Sequence, residues 1–136
     1  FGNFWSNKIL DEIGIEYKSF GFINDKEILN YLYSSADLFV ASSIQEAFGK
    51  TWAESLACGT PIVCFPNTAA SEIIKHKIDG YILNKINSDE LKNGIEWLTQ
   101  NTEKIAHVKD LRKTVEIFDP KSISHQYVEI YKSLIN

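Results

Sequence analysis

The loop at residues 42–50, with the sequence SSIQEAFGK, carries the groups best suited to ligand chemistry. It follows an apolar strand candidate and leads into a helix candidate, so Gly49 stands where the backbone must turn. The first amides of a helix have no intrahelical partner, and the helix dipole makes that end mildly positive. These amides, with Lys50 beside them, predict an anion site suited to phosphate.

Two carboxylates flank this predicted anion site. Glu46 precedes the helix, and Glu54 lies more than one turn inside it. Carboxylates repel phosphate and accept hydrogen bonds from neutral hydroxyls. One carboxylate could therefore hold a sugar on one side of a diphosphate and the other a ribose, which is the outline of a sugar nucleotide. Taken singly, Glu46 could merely favour a helix start, and Glu54 could merely pair with Lys50 one turn away.

Short apolar runs alternate with longer helical stretches along the whole chain. Strand candidates lie at residues 17–23, 37–41, 62–65 and 81–83, and helix candidates lie at residues 25–35, 49–58, 69–77, 88–99, 102–117 and 121–134. This alternation predicts βαβ units and a parallel sheet with helices on both faces. Ligands of such sheets bind at the carboxyl ends of the strands, where the loop at residues 42–50 is expected.

Composition narrows the class of protein. The chain has 136 residues, 44% of them hydrophobic and 24% charged, which predicts one globular domain and excludes disorder. Its net charge of −4 excludes a global attraction to nucleic acid. Cys58 and Cys64 lie in apolar context and predict buried thiols, and the three histidines lie too far apart in the sequence to predict a metal site. The chain contains no Met and begins at Phe1, so we expect a piece of a longer protein.

Residues 36–83 resemble the carboxyl-terminal, donor-binding domain of a GT-B glycosyltransferase of the large retaining family four, glycosyl transferases group 1. The central match is EAFGKTWAE at residues 46–54, which resembles the E-x7-E motif of that family. Around it stand Ala36-Asp37, Ser42-Ser43 and the string SLACGTPIV at residues 55–63. Upstream, FGFI at residues 20–23 resembles the strand before the nucleobase loop.

The resemblance implies a fold and an activity. The expected fold is α/β, a Rossmann-like parallel sheet with flanking helices that is incomplete at the N-terminal side and forms half of a GT-B fold. Residues 1–136 would be a nucleotide-sugar-binding C-terminal domain that lacks the N-terminal acceptor domain and is inactive alone. The full enzyme would transfer a hexosyl-type sugar from a UDP- or GDP-sugar to a hydroxyl of a glycan, lipid or small molecule, with retention of configuration.

The resemblance also assigns roles. Glu46 would be the catalytic group and would contact hydroxyls of the donor sugar. Glu54 would hold the ribose hydroxyls, and Phe22 and Ile23 would lie beside the base. The remaining donor-binding positions, which would offer backbone amides to the sugar or diphosphate, are Ala47, Phe48, Gly49, Lys50 and Thr51.

The resemblance implies neither a metal nor another cofactor. It suggests polysaccharide biosynthesis and a cytoplasmic location, and it leaves peripheral membrane association of the full protein open.

Two departures from the family pattern stand out. The turn at residues 67–70 reads NTAA where the family often has glycines, and residues 1–17 contain no counterpart of the Arg and Lys pair that neutralises the leaving diphosphate. Two other functions stay open on the same architecture. One is a sugar-nucleotide epimerase, whose acids and bases we cannot locate, and the other is a non-catalytic α/β binding module.

Overall fold

The computed structural model describes Gly2, Glu12 and residues 16–135. The chain divides into two compact units, residues 1–32 and residues 33–136. In the first unit, residues 16–25 have an irregular backbone, so the strand predicted at residues 17–23 is wrong. Its aromatic side chains Tyr17, Phe20 and Phe22 are exposed. They therefore lack the packing against neighbouring strands on which strand propensity depends.

Helix α1 spans Lys26–Ser34 and begins as the sequence predicts. The Asp25 carboxylate accepts hydrogen bonds from the backbone amides of Glu27 at 2.8 Å and Ile28 at 3.2 Å. These two amides belong to the first turn and have no partner inside the helix.

The second unit contains a three-stranded parallel sheet with the order β1-β2-β3. The strands are β1 (Phe39–Ala41), β2 (Ile62–Cys64) and β3 (Gly80–Ile82). Helix α2 (Lys50–Ala57) connects β1 to β2, and α3 (Ala69–Ile73) connects β2 to β3. Parallel neighbours require such crossovers because a tight turn cannot join them. The predicted parallel α/β sheet is thereby confirmed.

Helices cover both faces of this sheet. Along the central strand, side chains alternate between two apolar clusters, as the two-residue period of a strand requires. Ile62 and Cys64 pack in a cluster with Trp52, Leu56, Ala70, Ile74, Leu111 and Val115. Val63 and Phe65 pack on the other face with Leu83 and Leu98. The thiol of Cys64 is buried as predicted, whereas Cys58 is only half-buried.

The chain after β3 is helical. Helix α4 (Ser88–Gln100) is followed by a 3₁₀ turn (Thr102–Lys104), α5 (Val108–Val115), a second 3₁₀ turn (Glu116–Phe118) and α6 (Pro120–Ile135). The single helix predicted at residues 102–117 is therefore wrong. The backbone turns inward at Ile105 and is extended there, and the Ala106 amide donates to the carbonyl of Ile78 at 2.9 Å. This long-range hydrogen bond replaces the one that a continuous helix would make.

The turn between α2 and β2 is held by buried hydroxyls. Gly59 ends α2 as predicted, since its amide donates to the Leu56 carbonyl. The Ser55 hydroxyl donates to the carbonyl of Thr60 at 3.1 Å. The Thr60 hydroxyl in turn donates to the carbonyl of Tyr33 at 2.5 Å. These bonds tie the carboxyl end of α2 to Tyr33.

Candidate functional site: the β1–α2 loop

The loop between Ala41 and Lys50 leaves the carboxyl end of β1 and enters α2. Residues 42–47 are exposed. Gly49 is the residue immediately before the helix and adopts φ 75° and ψ 79°. This left-handed conformation suits glycine, and glycine has no side chain with which to cap the first turn. The amino end of α2 thus presents its amides to the loop.

The Glu46 carboxyl group lies against the backbone of Gly49. A Cβ atom built on Gly49 would overlap the carboxyl carbon and both carboxyl oxygens of Glu46. Because Gly49 carries only a hydrogen there, the carboxyl group can reach the amino end of α2. Glu46 is itself exposed, so its oxygens stay accessible to a ligand.

Phe48 is fixed from the side of the core. The buried Trp52 indole donates its Nε1 hydrogen to the Phe48 carbonyl. The Phe48 ring packs edge-on against Phe118, with centroids 4.8 Å apart, and tilted against Trp52 at 5.4 Å. Three aromatic rings therefore set the position of the backbone just before α2.

Glu54 lies on the second turn of α2 and is half-buried. Its Oε2 accepts a hydrogen bond from the Tyr33 hydroxyl at 3.1 Å. The Tyr33 side chain is 2% exposed. Burial raises the pKa of the Tyr33 phenol, and the nearby Glu54 carboxylate raises it further. The phenol therefore stays protonated and acts as a donor to Glu54.

Lys50 does not use Glu54 as an ion-pair partner. Within residues 16–135 the ion pairs are Lys92–Glu96, Lys113–Asp110 and Lys132–Glu129. The one-turn pairing of Lys50 with Glu54 is thus absent there. Both side chains instead line a groove of about 410 Å³, whose other wall runs from the end of α5 to the start of α6. That wall consists of Val115, Phe118, Asp119 and Pro120.

The other predicted site residues fall into two groups. Ala47 and Thr51 are exposed on either side of Gly49, so the second unit brings seven of the nine predicted positions onto one loop and helix. Phe22 and Ile23 belong to the first unit. There Phe22 is 72% exposed and is therefore not a core residue of that unit, while Ile23 is half-buried.

The loop after β2 lies at the same edge of the sheet, but its turn into α3 uses Asn and a side-chain cap where the β1–α2 loop uses glycine. Asn67 adopts φ 60°, a left-handed conformation that Asn tolerates better than most residues. Thr68 and Ser71 then form a reciprocal capping box at the start of α3. Asn67 and this cap stand where the resembling family often has glycines.

Sequence reasoning missed Tyr33. It lies 21 residues before its partner Glu54, and the local pattern marks it only as an apolar position of α1. Its role depends on how the end of α1 meets α2, which spacing alone does not reveal. The hydrogen bond from Trp52 to Phe48 was missed as well, although aromatic residues four apart on a helix start were a usable signal.

Two features are absent from the described residues. Their His, Cys, Asp and Glu side chains include no group of three or more that could hold a metal ion. Within the same part of the chain, every helix is too short or too polar to traverse a lipid bilayer.

Solved structures with this fold are GT-B glycosyltransferases. HepE from Anabaena, crystallised with UDP, matches with a TM-score of 0.76 and 28% sequence identity, over 93% of this chain and 35% of HepE. The same protein has been crystallised with UDP-glucose. The class is therefore an α/β domain with the Rossmann-like sheet of GT-B glycosyltransferases.

The family follows from sequence. Residues 10–115 match the family described as glycosyl transferases group 1, and the chain belongs to that family. A protein of Methanocaldococcus jannaschii named as an uncharacterized glycosyltransferase is 29% identical over 133 residues, 89% of this chain and 32% of that protein. A GDP-mannose-dependent α-(1-6)-phosphatidylinositol dimannoside mannosyltransferase of Mycobacterium tuberculosis is 46% identical over 54 residues, 40% of this chain and 14% of that protein. The chain spans about a third of the length of the first relative and of HepE.

Proposed function

We propose that residues 1–136 form the donor-binding, carboxyl-terminal domain of a retaining glycosyltransferase that uses a nucleotide sugar. One observation carries this proposal. The Glu46 carboxyl group lies over Gly49 at the amino end of α2, and Glu54 follows on the second turn of the same helix. A diphosphate at the α2 amides would have one carboxylate near its sugar and the other near its ribose.

The proposed residue roles are those that the resemblance to the family implies, and the chemistry of each group is compatible with them. Glu46, as the first residue of an E-x7-E motif, would accept hydrogen bonds from the donor sugar and act as the catalytic group. Glu54 would accept hydrogen bonds from the ribose. The amides that would stabilise charge on the departing diphosphate belong to Ala47, Phe48, Gly49, Lys50 and Thr51. Such preorganised donors stabilise developing charge without reorganising at the moment of reaction.

Two relatives indicate which nucleotides could carry the donor sugar. HepE was crystallised with UDP and UDP-glucose, and the mycobacterial relative is named as GDP-mannose-dependent. A UDP-sugar or a GDP-sugar is therefore the donor that we propose, with Phe22 and Ile23 beside its base. Neither a metal nor another cofactor is part of this proposal.

The wider setting belongs to the same proposal. The acceptor, a hydroxyl of a glycan, lipid or small molecule, would bind a separate N-terminal domain of a longer cytoplasmic protein. Polysaccharide biosynthesis is the process proposed for that protein. Peripheral association of that protein with a membrane stays open.

Titration of the chain with UDP, GDP and ADP, followed by amide NMR shifts, tests donor binding. One nucleotide should move the amides of residues 48–54 equally well in excess EDTA and in excess Mg²⁺. Glu54→Ala should lose this response, and Glu72→Ala should keep it. Glu72 is the control because it is also a helical glutamate, exposed on α3 and outside the β1–α2 loop. Unmoved amides at millimolar concentrations of all three nucleotides would contradict the proposal.

The reaction itself requires the full-length protein. Incubation with the donor identified above and an acceptor should yield a glycoside, and the anomeric proton coupling should report retained configuration. An epimerised donor in place of a glycoside would favour the epimerase instead. Nucleotide binding that does not depend on Glu54 would favour a non-catalytic module.

A further inference from the structure

The hydrogen bond between Tyr33 and Glu54 connects the proposed ribose carboxylate to the core. The Tyr33 hydroxyl donates to Glu54 Oε2 at 3.1 Å, and the tyrosine side chain is 2% exposed. Glu54 is half-buried, so its carboxylate stands between the core and the solvent. One oxygen of the Glu54 carboxylate is therefore already hydrogen-bonded within the protein.

Tyr33 is a rigid anchor for this bond. Its ring packs edge-on against Phe39 of β1, with centroids 5.6 Å apart. Its carbonyl accepts hydrogen bonds from the Thr60 hydroxyl at 2.5 Å and from the Ala36 amide at 3.1 Å. Thr60 is in turn bonded to Ser55, the residue after Glu54. The Tyr33 phenol and the Glu54 carboxylate thus belong to one network of hydrogen bonds, which also includes Ser55 and Thr60.

The remaining acceptor capacity of Glu54 suits a pair of hydroxyls. A carboxylate offers about four lone-pair sites on its two oxygens. The Tyr33 hydroxyl uses one of them, on Oε2. Adjacent hydroxyls of a ribose could then bond to Oε1 and to the second site of Oε2. A glutamate that is already held in place loses less side-chain freedom when it binds such a ligand.

The direction of the bond is also settled by protonation. Burial and the neighbouring carboxylate raise the pKa of the Tyr33 phenol above its usual range. The phenol consequently keeps its proton over the whole physiological pH range and can donate it in a hydrogen bond to Glu54. Glu54 keeps the acceptor role that ribose hydroxyls need.

We propose that Tyr33 is a positioning residue that aims the Glu54 carboxylate at the two ribose hydroxyls and so determines the preference for ribose. This inference rests on the proposed function, in which Glu54 holds the ribose. Tyr33 touches Glu54 and not the reacting atoms, so its effect should appear in sugar selectivity more than in diphosphate affinity.

The test compares the affinities of the chain for UDP and for 2′,3′-dideoxy-UDP by calorimetry. Where GDP binds more tightly than UDP, GDP and its dideoxy counterpart are used. The wild type should favour the ribonucleotide at least about tenfold, as expected for hydroxyls that bond to a charged acceptor. Tyr33→Phe should reduce that ratio about fivefold and leave the affinity for the dideoxy nucleotide unchanged. Tyr127→Phe is the matched control, because Tyr127 is 57% exposed on α6, and it should keep the wild-type ratio.

The outcomes separate this inference from the proposed function. A ratio that falls to about one in Glu54→Ala but persists in Tyr33→Phe overturns the role of Tyr33 alone. An equal loss of affinity for both nucleotides in Tyr33→Phe also overturns it, because that result indicates a structural role only. A wild-type ratio that Glu54→Ala does not change, or no nucleotide binding at all, overturns both.

A second pair of variants covers the case in which Tyr33→Phe does not fold. Thr60→Val removes the hydroxyl that holds the Tyr33 carbonyl, while the Ala36 amide still satisfies that carbonyl. Thr60→Ser keeps the hydroxyl. The ribose ratio should fall about twofold in Thr60→Val and stay unchanged in Thr60→Ser, and equal ratios in the two variants overturn the inference.

Discussion

The Glu46 carboxyl group occupies the space in which a side chain on Gly49 would have to lie. Two separate features of the structure therefore require glycine at position 49. The backbone adopts φ 75°, which other residues reach only with strain. The second reason is access, because the hydrogen atom of glycine leaves the amino end of α2 open to Glu46.

Gly49→Ala should cost stability and ligand binding together. The left-handed conformation alone should lower the free energy of unfolding by about 1–2 kcal/mol, and the displaced Glu46 should lower UDP or GDP affinity at least about tenfold. Urea unfolding and calorimetry measure the two effects.

Gly59→Ala is the matched control for this experiment. Gly59 also has a positive φ, of 87°, but it follows the opposite, carboxyl end of α2. A Cβ added there would meet Val108 of α5 and not Glu46. We expect a similar loss of stability with unchanged nucleotide affinity. Equal nucleotide affinities in the two variants would contradict the role of Gly49 in the site.

Trp52→Phe should destabilise the chain by about 2–4 kcal/mol. The substitution removes the indole donor from the Phe48 carbonyl and leaves a smaller ring in a fully buried space. It should also weaken nucleotide binding, because Phe48 leads directly into the first turn of α2. Thermal unfolding and the same calorimetric titration measure both effects.

Trp97→Phe provides the comparison for Trp52→Phe. Trp97 is half-buried and packs against Tyr81 on the other face of the sheet, with centroids 5.8 Å apart. Trp97→Phe should lower the free energy of unfolding by about 1 kcal/mol and leave nucleotide affinity unchanged. If the two tryptophan variants affect nucleotide affinity alike, the aromatic cluster has no specific part in the site.

The stability that Tyr33 contributes should depend on pH in one direction. Its pKa is raised in the folded chain, so the folded state holds the phenol proton more tightly than the unfolded state does. The stability advantage over Tyr33→Phe should be constant below about pH 10, the ordinary pKa of tyrosine. Above that pH it should shrink by up to about 1.4 kcal/mol for each pH unit. Urea unfolding of both proteins between pH 8 and 11.5 measures this difference, and a constant difference would refute the assignment.

The two thiols should differ in reactivity. Burial raises the pKa of Cys64 to about 12, and the thiolate is the reactive form. Burial also raises the pKa of the half-buried Cys58, while the nearby Arg112 lowers it in part. Iodoacetamide at pH 8 should therefore alkylate Cys58 at least about tenfold faster than Cys64, as peptide mass spectrometry measures. In 6 M guanidinium the two rates should become equal, and equal rates in the native chain would contradict the burial of Cys64.

Local patterns were enough to predict the centre of the fold. The helix with Trp52 and Leu56 inward, the stop at Gly59 and the buried strand that contains Val63 all follow from apolar spacing and turn residues. The same patterns placed Glu46 and Glu54 near one helix start, because both lie within or next to α2.

Long-range contacts account for what the sequence did not reveal. A hydrogen bond from the Ala106 amide to the Ile78 carbonyl interrupts the helical pattern near residue 105, and no local signal marks it. Tyr33 reaches Glu54 only because the end of α1 packs beside β1 and α2. The strand predicted from the aromatic residues around Phe20 is wrong because those side chains are exposed and lack the packing against neighbouring strands that a strand needs.

The ring contact between Phe48 and Phe118, with centroids 4.8 Å apart, also bears on how the protein is made. A nascent chain releases Phe48 from the ribosome long before Phe118. Until Phe118 has emerged, Phe48 and Trp52 lack one ring of their cluster, and the loop that leads into α2 is only partly supported. The ribosome-bound chain therefore completes the aromatic support of this loop only after residue 118 has left the exit tunnel.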